Sequence, residues 1–450
     1  MYASDLKHPC RTLEEKLHTL YNLRLAKKID LSFRPPYLEL LQQLGSPHSN
    51  LPPVIHVAGT NGKGSIIAML RAILEQGGRR VHAYTSPHLC RFNERIVLAG
   101  QEITDTALEA LIDEALTCNK GAEVTFFEIT TAMAFAAFAR NPADIVLLET
   151  GLGGRLDCTN VIEKPAISVI ASISRDHTEF LGDSLQQIAA EKAGIIKTGR
   201  PCVIAPQTPQ ALAENVMGVF EERAAALNAP LYRHGHEWQV QQKADRLSFI
   251  FGDKETLLPL PSLPGAHQTS NAGAALAALH VLHNNFHTGH ENIAAGLQQI
   301  QWRGRLQDIT KRSKQALPPG WQLWLDVGHN EGAAQILARQ AQEWRKEDEM
   351  PLFLVVGMLR HKDPRGFLTP LLEHTTEIHI MDIPDEPNSY SAAVLAQNIN
   401  EQDAYGKIIQ AGSFSAALKA ITANHRQGRI LIAGSVYLAG HILREHCYND

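Results

Sequence analysis

Apolar positions along this chain of 450 residues switch repeatedly between two spacings. Val54, Ile55, Val57 and Ala58 predict a short buried strand, and Ile66, Ile67, Met69, Leu70, Ile73 and Leu74 then recur at helical spacing. The alternation continues through "RRVHAYTSPH", the helix candidate "TTAMAFAAFAR", "ADIVLLETGLGG", "AISVIASIS" and "PCVIAP". Such an order predicts a mostly parallel sheet covered on both faces. Leucines at helical spacing from about residue 11 to 45 predict a helical lead-in, broken where Pro35 and Pro36 stop one helix and start another.

From about residue 229 to 265 the pattern changes, and "LYRHGHEWQVQQ" and "RLSFIFGDKETLLPLPSLPG" read as short antiparallel strands that extend the sheet or cover it. After the helical "SNAGAALAALHVLHNNF" and the charged "IQWRGRLQDITKRSKQALPPG", a second alternating series begins. Its strand candidates are "WQLWLDVGHN", "LFLVVGML", "EIHIMDI", "KIIQAGS" and "RILIAGSVYLAGHIL". The chain is too long for one ordinary core, so two domains are expected, the second starting near Gln301. No solenoid-type repeat and no low-complexity segment interrupts this order.

Composition removes several function classes. Lys plus Arg total 42 against 47 Asp plus Glu, without a block of one sign, so nothing suggests a nucleic-acid surface. The N-terminus lacks an apolar signal region and no apolar run is long enough to span a membrane, which predicts a soluble, unexported protein. Six scattered cysteines without a C-x-x-C pair fit a reducing cytoplasm and argue against a zinc ribbon or a disulfide framework.

The candidate chemistry starts between the first strand and its helix. "GTNGKGS" differs from the general P-loop signature by one glycine, Gly64, placed between Lys63 and Ser65. Gly59, Gly62 and Gly64 let successive amides point inward, Lys63 would hold β and γ phosphates, and Ser65 would offer a hydroxyl to Mg²⁺. The bland alternative is a glycine turn that packs a helix on a strand. Glu149 closes one apolar run, and Asp176 and His177 follow another; carboxyl ends of strands line the crevice of open α/β sheets, so hard oxygen ligands there suit Mg²⁺. The bland alternative has Glu149 capping a helix and His177 as an ordinary loop residue. The glycine-rich "GLGGRLDCTN", with Arg155 and Asp157, is either a closing loop or a tight connection, and "LDVGHN" ends a strand of the second half with Asp326, His329 and Asn330.

Taken together the pieces resemble the folylpolyglutamate synthases, with their bifunctional dihydrofolate synthase members, in the Mur ligase superfamily. "HVAGTNGKGS", "TSPHLCRFNERI", "TFFEITTAMAF", "LLETGLGGRLDCTN", "SRDHTEFLG", "AAEKAGIIK", "LDVGHN", "GMLRHKD" and "LIAGSVY" occur in the family's order. The resemblance implies an α/β fold: an N-terminal P-loop domain with a mostly parallel sheet over residues 1–300, and a smaller C-terminal Rossmann-like α/β domain over 301–450. It implies ATP phosphates on Thr60, Asn61, Gly62, Lys63, Gly64 and Ser65, one Mg²⁺ on Ser86 and Glu149 with Ser65 nearby, and a second Mg²⁺ at His177. Lys192 matches a lysine that the family carbamylates, a change that turns a cation into an oxygen-bearing anion beside the metal. Asn271 resembles an adenine contact, Arg305 a phosphate contact, and Asp326 with His329 the nucleotide side of the second domain. The pterin side would comprise Asp30 of "KKIDLSF", Thr125, Phe126, Phe127 and Glu128 of "TFFE", and Leu156 with Asp157; one of the two phenylalanines would stack on the heterocycle. Glu331 departs from the pattern, which commonly has proline after "HN", and Val327 and Gly328 precede His329, so the loop after Asn330 is where the resemblance is weakest.

The implied reaction joins an acceptor carboxylate to the amine of L-glutamate through an acyl phosphate, with ADP and phosphate released. The substrates are small molecules, folate or dihydropteroate and L-glutamate, and the resemblance implies a cytoplasmic monomer without nucleic-acid or membrane partners. "KKIDL" and "TFFE" favour a pterin over the rival UDP-muramoyl acceptor. Glu149, His177 and Lys192 weigh against a nucleotide-binding regulator without ligase activity. A dethiobiotin synthase-like or other P-loop enzyme would not account for the second domain.

Overall fold

A computed structural model describes residues 7–22, 35–283, 286–399 and 407–447. Among them the first sheet has eight strands, running edge to edge as Gln101–Glu102, Ile96–Leu98, Val81–Tyr84, Ile145–Glu149, Val54–Ala58, Ile167–Ile170, Cys202–Ile204 and Leu231–Arg233. The first two form an antiparallel edge, and the remaining six are parallel. Val54–Ala58 is central and buried throughout, as its β-branched run requires. Its side chains alternate: Ile55 and Val57 join the cluster formed with helices Lys63–Gln76 and His267–Val281, whereas Val54 joins the cluster around helix Phe126–Arg140. That last helix is apolar on nearly every side, because packing surrounds it.

Residues 229–265 do both things their pattern allows. Leu231–Arg233 extends the sheet in parallel, not antiparallel as its pattern predicts, because a helical crossover brings it beside Cys202–Ile204. Trp238–Lys243, Arg246–Phe251 and Lys254–Pro259 form a separate antiparallel sheet whose Trp238, Leu247 and Leu258 pack with helix His267–Val281. All five strands expected in the second series are present, ordered Trp321–Leu325, Gly428–Ala433, Leu352–Val356, Glu377–Ile380 and Ile408–Gln410, and all are parallel. A sixth, Gln307–Asp308, adds antiparallel to Trp321–Leu325 from inside the charged connection. Its two residues are strand only because Trp324 and Leu325 offer a free edge. The lead-in forms helices Arg11–Asn22 and Pro35–Gln43, and the break between them lies outside the described residues. No helix among the described residues is long and apolar enough to cross a membrane.

Helix His290–Gln298 approaches helix Lys63–Gln76 so closely that a Cβ on Gly296 would lie 2.5 Å from the Ile73 Cα. Backbone cannot swing aside as a flexible side chain can, so Gly296→Ala should lower stability by about 2 kcal/mol in urea unfolding. A Cβ on Gly289 meets nothing within 4 Å, and Gly289→Ala should leave the midpoint in place.

Candidate active site

Past the central strand the chain turns at Gly59, φ 145°, where a Cβ would lie 2.6 Å from that of Ala171. It turns again at Gly62, φ 93°, immediately before helix Lys63–Gln76. A Cβ on Gly64 would meet Trp302 Cζ2 at 2.7 Å, which accounts for the extra glycine between Lys63 and Ser65. The loop is held from the neighbouring strand's end: Thr60 Oγ1 donates to the Ser174 carbonyl at 3.0 Å and Asn61 Nδ2 to Ser174 Oγ at 3.0 Å. Lys63 Nζ folds back on the loop, donating to the carbonyls of Gly59 at 3.0 Å and Thr60 at 3.3 Å.

Parallel register sets Val57 beside both Glu149 and Val169, so three strand ends converge on this loop. Glu149 is buried; its Oε2 accepts the Ser86 N–H at 3.3 Å and its Oε1 lies 4.0 Å from Lys63 Nζ. Burial raises its pKa and the Lys63 charge opposes that rise. Its described hydrogen bond is thus to the Ser86 loop rather than to a helix N-terminus. Lys192, on helix Leu185–Ala193, is also buried, and its Nζ donates to the same Gly59 carbonyl at 3.0 Å. Burial, reinforced by the Lys63 charge, pulls its pKa down to about 7. His177 stands in the left-handed region, φ 52°, ahead of helix Thr178–Leu181, and burial lowers its imidazole to about 3. It is therefore neutral at physiological pH, the form that binds metal.

The second sheet completes a cleft of about 1560 Å³, lined on one side by Thr60 to Ser65, Ser86 and Glu149 and on the other by Arg305, Asp326 and His329, with Asn271 and Trp302 at its wall. Asp326 accepts the N–H groups of Leu306 at 2.8 Å and Gly328 at 2.7 Å, and burial raises its pKa against the opposing charge of Arg305. Arg305 donates to the Gly304 carbonyl at 3.1 Å; burial lowers its pKa, and the charges of Asp326 and Glu149 counter that. His329 Nδ1 lies 3.0 Å from the Val327 carbonyl, and Nε2 lies 3.4 Å from Asp176 Oδ2. Asn330 caps helix Glu331–Asp348, its Oδ1 accepting the Ala333 N–H at 2.9 Å. Glu331 is the first helical residue, where proline and a carboxylate are both favoured, so the departure from the expected proline leaves His329 on the cleft.

The described residues expected on the pterin side lie apart from that lining, and their polar groups are engaged locally. Thr125 and Glu128 form a capping box on helix Phe126–Arg140, the Thr125 N–H donating to Glu128 Oε2 at 2.5 Å and the Glu128 N–H to Thr125 Oγ1 at 3.2 Å. Asp157 is buried and accepts from the N–H groups of Gly151, Leu152 and Thr159 and from the Thr159 hydroxyl, shaping the glycine-rich loop as a tight connection. Phe126 belongs to the core, edge-on to Phe92 and Tyr21, whereas Phe127 is half-buried against Gly151 and Tyr84. Leu156 is half-buried on the same loop, and Asp30 lies outside the described residues. Three groups near the cleft have no role assigned from the sequence: Ser174 and Lys362, although they stand in the motifs "SRDHTEFLG" and "GMLRHKD", and Trp302.

Comparison with known proteins gives a consistent result. Residues 57–279 match the family description "Mur ligase middle domain", and residues 307–445 match "Dihydrofolate synthetase, C-terminal domain". A dihydrofolate synthase/folylpolyglutamate synthase of Haemophilus influenzae is 36% identical over 342 residues, covering 72% of this chain and 73% of its own. The solved structure of Escherichia coli FolC in complex with DHPP and ADP superimposes with a TM-score of 0.83 at 29% identity, covering 96% of each chain. A bifunctional folylpolyglutamate synthase/dihydrofolate synthase with Mn, AMPPNP and L-glutamate bound gives 0.81 at 29% identity over 98% of each chain.

Truncating Asp157 would leave three backbone N–H groups and one hydroxyl without their acceptor. Asp157→Ala is expected to lower stability by about 3 kcal/mol, measured by urea unfolding at constant pH.

Proposed function

This chain belongs to the dihydrofolate synthase/folylpolyglutamate synthase family of the Mur ligase superfamily, and on that premise we propose how its cleft forms an amide. The chain is an ATP-dependent ligase that adds L-glutamate to folates, and we assign 7,8-dihydropteroate as a second acceptor. The observation that carries the mechanistic reading is the meeting of Lys63, Lys192 and Glu149 around the carbonyl of Gly59, in a cleft whose far wall carries Arg305, Asp326 and His329.

ATP would occupy the loop from Thr60 to Ser65, with Asn271 at the adenine and Arg305 at a phosphate. The acceptor carboxylate attacks the γ-phosphorus, ADP departs, and an acyl phosphate remains. The Thr60 and Asn61 N–H groups, expected to point inward, donate to the Ser172 carbonyl, so Lys63 and the N–H groups at the start of helix Lys63–Gln76 would stabilise the charge that builds on the transferring phosphoryl. The glutamate amine then attacks the acyl carbon, loses a proton, and expels phosphate. Residues 301–450 would form the C-terminal domain that closes on residues 1–300 and keeps water from the acyl phosphate. Phe127, packed against Gly151, and Leu156, on the same glycine-rich loop, are half-buried and would border the pterin.

Hydroxyl and carboxylate oxygens suit Mg²⁺, and Ser65, Ser86 and Glu149 supply that donor set beside Lys63. These residues would hold an ion that neutralises phosphate charge, and His177 with a modified Lys192 would hold a second. Carbamylation fits the position of Lys192: burial, and Lys63 on the same carbonyl, make the neutral amine accessible near pH 7, and it adds to CO₂, releasing a proton as the N–C bond forms. The product carboxylate would remove the repulsion between Lys192 and Lys63. Six free thiols fit a cytoplasmic location, and a monomer is the expected state.

The activity is tested by supplying Mg-ATP and L-glutamate with tetrahydrofolate or 7,8-dihydropteroate and following phosphate release and adducts by mass spectrometry. Glutamate adducts are expected with both acceptors; transfer to a UDP-muramoyl acceptor instead would sink the folate reading. Lys63→Ala should lower kcat about a thousandfold, since it removes the charge opposite the transferring phosphoryl. Native mass spectrometry in bicarbonate buffer should show a species heavier by one CO₂, lost in Lys192→Arg. Its population should rise as pH passes upward through about 7, because only the unprotonated amine reacts, and acid should reverse it.

A further inference from the structure

Asp176 is held at once by its own loop and by Asn330 and Lys362, from the segments that follow strands Trp321–Leu325 and Leu352–Val356 of the second sheet. Its Oδ1 accepts the backbone N–H of His177 at 2.9 Å and the Lys362 ammonium at 2.6 Å, and its Oδ2 accepts Asn330 Nδ2 at 3.0 Å. Asp176 and Lys362 are separated by 186 residues, and their side chains are 11% and 7% exposed. Burial alone would raise the Asp176 carboxyl, but the His329 hydrogen bond and the Lys362 charge hold it well below its ordinary range. The pair is a buried, charge-assisted contact and not a surface ion pair.

Its position gives it a consequence for the site. The Asp176 carboxylate that receives Lys362 is the acceptor for the turn that places His177 at φ 52°. The segment bearing Lys362 touches His177 again, through the rings of His361 and His177, whose centroids are 6.1 Å apart. One residue away from His329, Asn330 also exchanges two amide hydrogen bonds with Asn61 of the phosphate loop, each 3.1 Å.

We propose that Lys362 is a positioning residue for the second metal site: by gripping Asp176 it fixes the backbone turn that presents His177, so that the site assumes its binding geometry when the second sheet closes on the first. The proposal rests on the assignment of His177 to a metal. Lys362 touches no reacting atom; it acts through Asp176. Closure and metal geometry are then one event, since Asn330 and Lys362 reach the phosphate loop and the His177 turn from the same wall.

The test measures Mn²⁺ binding by electron paramagnetic resonance in the presence of AMPPNP, beside steady-state kinetics, for the full chain and for Lys362→Met, Lys362→Arg, Asp176→Asn and the double variant Asp176→Asn/Lys362→Met. Lys362→Met and Asp176→Asn should each weaken Mn²⁺ binding at the weaker site about tenfold, with AMPPNP affinity changed less than about twofold. Lys362→Arg should restore most of the loss, and the double variant should be no worse than either single, because the two act as one unit. If Lys362→Met leaves an unpaired buried carboxylate and fails to fold, the charge-neutral double variant carries the test against Asp176→Asn alone. Unchanged Mn²⁺ binding, or losses that add, would overturn the proposal. So would a rise in KM for glutamate with kcat and Mn²⁺ binding intact, which would make Lys362 a substrate ligand. Failure of the wild-type chain to form any folate adduct, with the Mn²⁺ pattern as expected, would overturn the proposed function and leave the positioning role standing.

Discussion

The carbonyl of Gly59 receives two ammonium groups, from Lys63 and Lys192, each at 3.0 Å. One carbonyl dipole does not balance two cations in a buried site, so the end of the central strand is poised for anions. Two features answer that excess: Glu149 across from Lys63, and the depressed pKa of Lys192. A nucleoside triphosphate and a carbamate are two ways to supply the missing negative charge, which is why the same few residues serve both binding and chemistry.

This electrostatic arrangement depends on sheet register. Val57 lies between Glu149 and Val169, so a strand displaced by one residue would turn Glu149 to the other face of the sheet. Burial of the alternate positions in separate clusters fixes the register against such a slip. The glycines act at closer range. Gly59 packs on Ala171 and Gly64 on Trp302, and any side chain at either position would displace the loop from the neighbours that shape it. Loop, carboxylate and lysines are thus positioned by the core, while the second sheet contributes through Asn330 and Lys362 and through the wall bearing Asp326.

Much of the site was legible in the sequence because its chemistry is local. A glycine loop between a strand and a helix, and carboxylates at strand ends, follow from periods and spacings within a few residues. The recognised motifs added Lys192, which periodicity alone would assign to a solvated helix face. Other residues read differently in place. Phe126 and Phe127 are adjacent and chemically identical, yet one fills the core and the other meets Gly151, a choice made by how the helix rotates against Phe92 and Tyr21. Thr125 and Glu128 cap their own helix, and Asp157 organises its own loop, roles that a motif match does not separate from ligand contact. The edge strand Gln307–Asp308 escaped notice because its pairing comes from a partner and not from its own pattern.

The sequence by itself determined the alternation of strands and helices, the two sheets, the phosphate loop and the family of the reaction, since each is encoded in short-range periodicity or in contiguous motifs. Tertiary structure alone decided that Lys192 shares a carbonyl with Lys63, that Phe127 rather than Phe126 borders the open loop, and that Lys362 closes on Asp176. These are contacts between residues far apart in the chain: parallel pairing gathers carboxyl ends within a sheet, and the packing of the second sheet on the first brings Lys362 to Asp176. Burial at those meeting points then sets the charge state of each group, a property that no residue carries before its neighbours arrive.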